Sequence, residues 1–200
     1  MFYHMKTEAD FYEQDPLSTS FGAHVTGTEA QSECLSPCKC PMESECLCQS
    51  LWHQIRKMRI TGTSFKEFSS NPEKLAISQW IKKRDLGHLK SISWGREKES
   101  VARLDYEEKT GNRVTNCGIF ISKQCPLFAA SPDGLVLSDN IVLIEIKCPF
   151  SLKDSDLNPS DVAKCAYLDG NACLRQSHQY FYQIQLGMFV TGAKITHFVV

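Results

Sequence analysis

The chain has 200 residues, which suits one ordinary domain or one domain with an extension. Hydrophobic residues make up 42% and charged residues 22% of the sequence, a composition typical of a globular protein. No stretch reaches the roughly 18 apolar residues of a membrane helix, and the first residues lack the pattern of a signal peptide. We therefore exclude secreted, membrane-spanning, fibrous and coiled-coil classes, and expect an intracellular protein of the nucleus or the cytoplasm.

Charge divides the chain near residue 50. Residues 1–50 contain two Lys and eight Asp or Glu, a net charge of −6, whereas residues 51–200 have a net charge of +5. A basic body behind an acidic extension is typical of a protein that binds a polyanion, although ordinary solvated helix faces would give the same charge. We predict an acidic, Cys-rich and poorly ordered extension over residues 1–50, followed by one domain over residues 51–200.

Half of the ten cysteines cluster in this extension. They are Cys34, Cys38, Cys40, Cys46 and Cys48. Four such thiolates could surround a zinc ion, but the segment contains no C-x2-C pair. Without a secretory signal, a disulfide framework is also disfavoured. We therefore expect reduced thiols without zinc, and a zinc-dependent interaction module stays the alternative for this segment.

The predicted elements of the domain begin with helices. Apolar residues at helical spacing predict a helix over residues 51–58. A turn at residues 60–64 opens a second short helix, which Asn71-Pro72 ends. Ser93 is the predicted N-cap of a third helix, which runs over residues 94–106.

A β-rich segment follows these helices. Residues 114–122 predict one strand, and residues 127–130 predict a shorter one. The turn Ser131-Pro132-Asp133-Gly134 then leads into two strands, over residues 135–137 and 141–147, that pair as an antiparallel hairpin. The remaining predicted elements are a polar loop at 151–176, a helix at 178–190 and a strand at 195–200. Because the sequence stops at this strand, we expect a domain truncated at its C-terminus.

The strongest chemical signal lies in the predicted hairpin. Successive strand residues alternate between faces, so Glu145 and Lys147 share a face, and the turn places Asp133 beside them. Two carboxylates at one edge offer the hard oxygen ligands that Mg²⁺ or Mn²⁺ prefers, and the lysine offers positive charge to a phosphate. A charged pair in a buried strand is costly unless it is paired or bound to metal. The alternative is a buried salt bridge between Lys147 and one carboxylate.

Two predicted helices add candidate residues. Glu99 shares a helix face with Arg103, whereas Glu97 lies about 200° away from Glu99 around the helix. In the C-terminal helix the aromatic residues are typical of a core. Gln183 or Gln185 on the side that faces the core could hydrogen-bond a metal ligand or a water molecule.

Five motifs occur in a specific order along the domain. They are Trp52-x3-Arg56-x3-Ile60-Thr61-Gly62-Thr63, Gly95-x3-Glu99-x2-Ala102, Ser131-Pro132-Asp133-Gly134-Leu135, Glu145-Ile146-Lys147-Cys148-Pro149, and Tyr182-Gln183-Ile184-Gln185-x2-Met188 followed by Val190-Thr191-Gly192. This ordered set, over roughly three-quarters of the chain, resembles the YqaJ-type viral recombinase domain, a relative of phage lambda exonuclease in the PD-(D/E)XK nuclease superfamily. The resemblance implies an α/β fold of mixed α+β type, in which helices flank a mixed central sheet.

The resemblance also implies roles at a metal site. Asp133 and Glu145 bind the metal directly, together with the backbone carbonyl of Ile146. Glu99 assists from its helix through a water molecule. Lys147 is the catalytic lysine.

Other roles implied by the resemblance concern the substrate. Gln183 is the helix amide near the catalytic site, with Gln185 as the weaker candidate. Arg56 and Thr63 match positions that hold a terminal 5′-phosphate in lambda exonuclease, where Thr63 replaces the usual Ser and keeps its hydroxyl. The alternative is that Arg56 is an ordinary surface charge and Thr63 is a helix N-cap.

The activity that the resemblance implies is metal-dependent hydrolysis of phosphodiester bonds in DNA, by an exonuclease directed to the 5′ ends of linear duplexes. Mg²⁺ or Mn²⁺ is the expected cofactor. Endonuclease action stays open because the fold hosts both exonucleases and endonucleases. A homo-oligomer also stays open. The alternative function is a catalytically silent nucleic-acid-binding remnant of a mobile or viral element, which the short C-terminus favours. A Mg²⁺-dependent digestion assay separates the two.

Overall fold

A computed structural model of the chain describes residues 32–35, 47–73, 89–138, 140–155, 159–162 and 164–200. The described helices are α1 (Leu47–Lys57), α2 (Gly62–Ser70), α3 (Lys90–Thr110), α4 (Pro159–Val162) and α5 (Gln179–Thr191). The described strands are β1 (Ser32–Leu35), β2 (Val114–Thr115), β3 (Ile119–Ser122), β4 (Ala129–Ala130), β5 (Gly134–Leu137), β6 (Ile141–Ile146) and β7 (Ile195–Val199). A 3₁₀ turn covers Phe150–Leu152. None of these described helices is long and apolar enough to span a membrane.

The central sheet has the strand order β2-β5-β6-β7. Strands β5 and β6 pair antiparallel, with Gly134 opposite Ile144, as the predicted hairpin requires. Strands β6 and β7 pair parallel, with Ile146 opposite Val199. The predicted mixed sheet is therefore confirmed. A second, antiparallel sheet has the order β1-β3-β4.

Strand β6 contacts a helix on each face of the sheet, since its successive side chains point to opposite faces. Ile144 is fully buried in a cluster with Tyr106 of α3, whereas Leu143 is buried in a cluster with Ile184 of α5. The same alternation puts Glu145 on the α5 side of the sheet. The sheet thus separates the two helices and carries a charged residue toward only one of them.

Helix α3 is longer than predicted at both ends. It begins at Lys90 rather than Trp94, and its N-cap is Leu89, whose extended backbone has no side-chain capping bond. Ser93, the predicted cap, is already inside the helix. The prediction failed because the true start of α3 carries no capping residue in the sequence, whereas Ser93 is a typical one. The helix continues to Thr110 and ends at Gly111, whose φ of 70° suits glycine and confirms the predicted turn.

The prediction of one strand over residues 114–122 is wrong. The segment forms β2 and β3, which belong to different sheets. A carboxylate oxygen of Glu107, near the end of α3, accepts a hydrogen bond from the backbone N–H of Val114 at 2.6 Å and fixes the start of β2. Residues 116–118 then carry the chain to the second sheet, where Phe120 pairs with Ala130.

Described structure also begins before the predicted start near Leu51. Helix α1 starts at Leu47, and β1 pairs antiparallel with β3, with Ser32 opposite Ser122. The division of the chain near residue 50 stays a prediction. The side chains of the cysteine cluster lie outside what the structure describes, so the expectation about zinc stays a prediction as well.

Candidate active site

The turn before β5 holds Asp133 through three hydrogen bonds. The backbone N–H of Asp133 donates to the carbonyl of Ile144 at 3.0 Å. Carboxylate Oδ2 accepts from the backbone N–H of Ile146 at 2.7 Å, and the backbone carbonyl of Asp133 accepts from Arg103 at 2.6 Å. These contacts leave Oδ1 as the carboxylate oxygen without a hydrogen-bond partner among the described residues.

Glu145 faces α5 and is only 5% exposed. Its Oε1 atom accepts hydrogen bonds from the ammonium group of Lys147 and from Nε2 of Gln183, the latter at 2.5 Å. The Lys147 nitrogen also lies 4.9 Å from the ring centroid of Tyr180. The structure thus brings Glu145, Lys147 and Gln183 together, and the salt bridge that was the alternative explanation is present. Oε2 of Glu145 makes no hydrogen bond to the part of the chain that the structure describes.

Crowded negative charge marks this site. Burial raises the pKa of Glu145 to about 7, an effect that Lys147 opposes and that Asp133 and Glu99 increase. Burial alone would lower the pKa of Lys147, but the charges of Glu145 and Asp133 outweigh it and raise that pKa above its usual range. Lys147 therefore stays protonated beside Glu145 and Asp133. A further positive charge would stabilise the ionised form of Glu145.

Helix α3 brings Glu99 toward this charge from the other face of the sheet. Burial raises the pKa of Glu99, and the nearby charge of Asp133 raises it further. Arg103, one helical turn later, opposes that rise through a 3.3 Å ion pair with Glu99. The side chain of Glu97 is 67% exposed and points away, as the helix-face argument predicts.

The three carboxylates do not form one cage. Within the described residues, no group of three or more His, Cys, Asp and Glu side chains lies close enough together to hold a metal ion. Mg²⁺ nevertheless often binds one or two carboxylates and keeps several water ligands. Asp133 Oδ1 and Glu145 Oε2 fit that requirement, because both are carboxylate oxygens without another partner among these residues. The roles of the Ile146 carbonyl and of Glu99 through water stay predictions.

Arg56 and Thr63 lie at a pocket that also includes two of the catalytic candidates, Glu145 and Gln183. The guanidinium carbon of Arg56 lies 4.4 Å from the ring centroid of Trp52, one helical turn earlier in α1. Burial lowers the pKa of Arg56, while the charges of Glu145 and Asp133 oppose that fall. Residues that line the pocket include Arg56, Gly62, Thr63, Ser131, Glu145 and Gln183.

The structure does not support the ordinary alternatives for these two residues. The N-cap of α2 is Thr61, whose backbone is extended, so Thr63 belongs to the first turn of the helix. Ser64 Oγ accepts from the backbone N–H of Thr61 at 3.1 Å and supports this helix start. Arg56 is half-buried against Trp52 rather than fully solvated.

Sequence reasoning missed other residues of the site. Ser131, interpreted only as part of a turn, lines the pocket and accepts a hydrogen bond from Nε1 of Trp52 at 3.3 Å. Gly62 lines it too, and Arg103 contacts Asp133 directly. The available signal was proximity along the chain, because Ser131 and Gly62 each lie within two residues of a predicted site residue.

Residues 51–194 match the family model of the YqaJ-like viral recombinase domain. The chain belongs to this family. It is also similar to the crystal structure of an alkaline exonuclease, LHK-Exo, from Laribacter hongkongensis, with 26% identity, 74% of this chain and 72% of that chain covered, and a TM-score of 0.55. The structure of LHK-Exo in complex with dAMP matches with the same identity and coverage and a TM-score of 0.56. No match was found among curated proteins.

Membership in the YqaJ-like family and the alkaline exonuclease neighbours confirm the fold that the motifs implied, a PD-(D/E)XK nuclease core. They also support a nuclease of the exonuclease type.

In this YqaJ-family chain, Gly62 sets the distance between α2 and α5, and we expect Gly62→Ala to damage the site. A Cβ at this position would lie 2.4 Å from Cγ and 3.1 Å from Cα of Gln183, so Gln183 or its helix must move. Overpacking of this kind costs about 1–3 kcal/mol of stability. Moving Gln183 should also lower turnover.

Thermal unfolding and a cleavage assay check this expectation. The matched control is Gly95→Ala in α3, where a Cβ meets nothing within 4 Å. That variant should be stabilised by roughly 0.5–1 kcal/mol because alanine favours the helix. If Gly62→Ala unfolds no earlier than Gly95→Ala, the close approach of the two helices is not essential.

Proposed function

We propose that this chain is a divalent-metal-dependent deoxyribonuclease that degrades linear duplexes from their 5′ ends. The observation that carries the proposal is the shared pocket. Arg56 and Thr63 line the same cavity as Glu145 and Gln183. A cation and a hydroxyl beside a carboxylate of the proposed metal site suit a substrate with a terminal phosphate next to the bond to be cleaved.

The phosphate end of the pocket combines three kinds of donor. Gly62 and Thr63 form the first turn of α2, where backbone N–H groups lack partners within the helix. Thr63 adds a hydroxyl, and Arg56 adds a guanidinium fork that Trp52 orients. The complex of LHK-Exo with dAMP, which carries one phosphate, supports a nucleotide ligand for this arrangement.

At the carboxylate end, Asp133, Glu145 and the carbonyl of Ile146 would hold Mg²⁺ or Mn²⁺. When bound, such an ion polarises the phosphate and lowers the pKa of a coordinated water. Glu99 would orient a metal-bound water from the α3 side. The raised pKa of Glu145 supports this assignment, because a bound cation would offset both the burial and the neighbouring negative charge that raise it.

Lys147 and Gln183 act beside these ligands. Both donate to Oε1 of Glu145, which leaves Oε2 for another partner. Lys147 keeps its proton because Glu145 and Asp133 raise its pKa, so it presents fixed positive charge to the scissile phosphate. Such a preorganised charge stabilises the negative charge that develops in the transition state.

A substrate comparison tests the proposal as a whole. Purified protein is incubated with Mg²⁺ and three DNAs: a duplex labelled at the 5′ ends, the same duplex labelled at the 3′ ends, and a closed circle. We expect mononucleotide release from the 5′ label first and an intact circle. Cleavage of the circle would contradict exonuclease action in favour of an endonuclease. No cleavage with any divalent metal would favour the silent remnant.

Arg56→Ala tests the end-recognition part of the proposal. Wild-type protein should degrade a 5′-phosphorylated duplex faster than the same duplex with 5′-hydroxyl ends. The substitution should erase most of that preference, a loss of about 1.5–3 kcal/mol for a charge-assisted contact. The rate on 5′-hydroxyl ends should change far less.

The control for Arg56→Ala is Lys57→Ala, which removes the exposed neighbouring cation. It should slow both substrates slightly and equally, because a solvated charge contributes only general attraction to phosphates. If Arg56→Ala also slows both substrates by one common factor, the pocket does not recognise a terminal phosphate.

A further inference from the structure

A single arginine connects α3 to the turn that carries Asp133. One nitrogen of Arg103, Nη2, donates to the backbone carbonyl of Asp133 at 2.6 Å and to Oε1 of Glu99 at 3.3 Å. The side chain is only 18% exposed. Both acceptors are groups of the protein itself, so these contacts tie two parts of the site together rather than bind substrate.

We propose that Arg103 is a positioning residue that fixes Asp133 and Glu99 relative to each other so that both can serve one metal ion. This inference rests on the proposed metal-dependent function. The contact with Asp133 is shorter than the one with Glu99, so the turn is its main target. The guanidinium suits the task because Nη2 carries two N–H groups in one rigid plane and can donate to both acceptors.

The hydrogen bonds of Asp133 show why this link matters. Its N–H and its Oδ2 atom are both bonded to β6, through Ile144 and Ile146. Among the described residues, the carbonyl of Asp133 is its one group bonded outside the sheet, through Arg103 to α3. Without that bond Asp133 itself would be bonded only to β6 among the described residues, and the direction of Oδ1 would be set less firmly.

The environment of Arg103 also indicates a role beyond stability. Its Nε atom is buried and has no hydrogen-bond partner among the described residues. An unpaired buried N–H is unfavourable for folding, and an apolar side chain at this position would avoid it. Local features that weaken stability are expected at functional sites.

The experiment compares Arg103→Met, Arg103→Lys and a control, Arg96→Met, which makes the same change at an exposed position of the same helix. Mn²⁺ binding is measured by calorimetry on the full chain without DNA. Removing an outer partner of a ligand typically costs roughly 10–100-fold in metal affinity, and we expect a loss of that size for Arg103→Met. Arg103→Lys should recover part of it because an ammonium can still reach one acceptor. Arg96→Met should bind like wild type.

Kinetics separate positioning from general damage. At a fixed Mg²⁺ concentration, Arg103→Met should lower kcat while the KM for DNA stays within about twofold, because the phosphate contacts are untouched. In a Glu99→Gln background the substitution should still weaken Mn²⁺ binding, since the contact with the Asp133 carbonyl does not depend on Glu99. Wild-type affinity in Arg103→Met would overturn the proposal. So would a complete loss of its effect in the Glu99→Gln background.

Hydrogen exchange distinguishes this inference from the proposed function. In metal-free protein, the amides of Ser131, Asp133 and Gly134 should exchange faster in Arg103→Met than in Arg96→Met. Equal exchange overturns the positioning role even if the protein is an active nuclease. Conversely, a wild-type protein that neither binds metal nor cleaves DNA overturns the proposed function, whatever the exchange shows.

Discussion

Asp133→Asn and Glu145→Gln are each expected to abolish cleavage while DNA binding stays nearly unchanged. Each substitution keeps the shape of the side chain and removes one negative charge from the proposed metal site, where Mg²⁺ would need anionic oxygens. An asparagine can keep the bond that Oδ2 accepts from Ile146, but it then places an N–H₂ group where Oδ1 was. At position 145 a glutamine can keep one oxygen toward Lys147 and Gln183 and lose the other.

Turnover at saturating Mg²⁺ is the measurement, and a loss of about 10³-fold or more is expected for the removal of a metal ligand. DNA affinity is measured separately by fluorescence anisotropy in the absence of divalent metal, where Lys and Arg contacts to phosphates dominate. Glu97→Gln is the matched control, because it removes one charge from an exposed side chain of α3. If either site variant turned over near the wild-type rate, the assignment of the two ligands would be wrong.

The hairpin was predictable because local signals agree there. The Ser131–Gly134 turn, the alternation over β6 and the position of Pro149 all point to the same pair of strands. From that pair alone, the common face of Glu145 and Lys147 follows. The partner that completes this group, Gln183, is 38 residues away along the chain, and periodicity did not distinguish it from Gln185. The structure does, because Gln183 donates to Glu145.

Two errors have clear physical causes. Helix α3 begins at a Leu89 N-cap without a side-chain hydrogen bond, so the sequence signal for helix starts pointed to Ser93 instead. Residues 114–122 divide between two sheets because Glu107 fixes Val114 from the end of α3. Neither contact follows from local propensity, which describes a residue and its near neighbours only.

Predicting the pocket required the family resemblance as well as the patterns of individual residues. Arg56 and Glu145 are far apart in sequence, and no spacing rule brings α1 to the end of β6. In the structure, α2 packs on α5 through the Gly62–Gln183 contact. That packing carries the first turn of α2 to the catalytic face. The geometry therefore depends on one glycine whose importance is visible only once both helices are in place.

Lys147→Ala is expected to lower turnover far more than it weakens metal binding. Loss of one preorganised charge at the transition state typically costs about 10²–10³-fold in kcat. Metal affinity should fall by less, because Lys147 is a partner of Glu145 rather than a ligand itself. Some fall is expected, since Lys147 counteracts the raised pKa of Glu145 and its removal makes that carboxylate harder to ionise.

The measurement pairs single-turnover rates at saturating Mg²⁺ with calorimetric Mn²⁺ affinity for the same protein. Lys153→Ala is the matched control, because the Lys153 side chain is 42% exposed and pairs with the exposed Asp154, so both quantities should stay near wild type. Equal losses in kcat and metal affinity would mean that Lys147 acts by keeping Glu145 ionised. A loss in kcat alone, with Glu145 still able to bind the ion, would locate the effect of Lys147 at the phosphate.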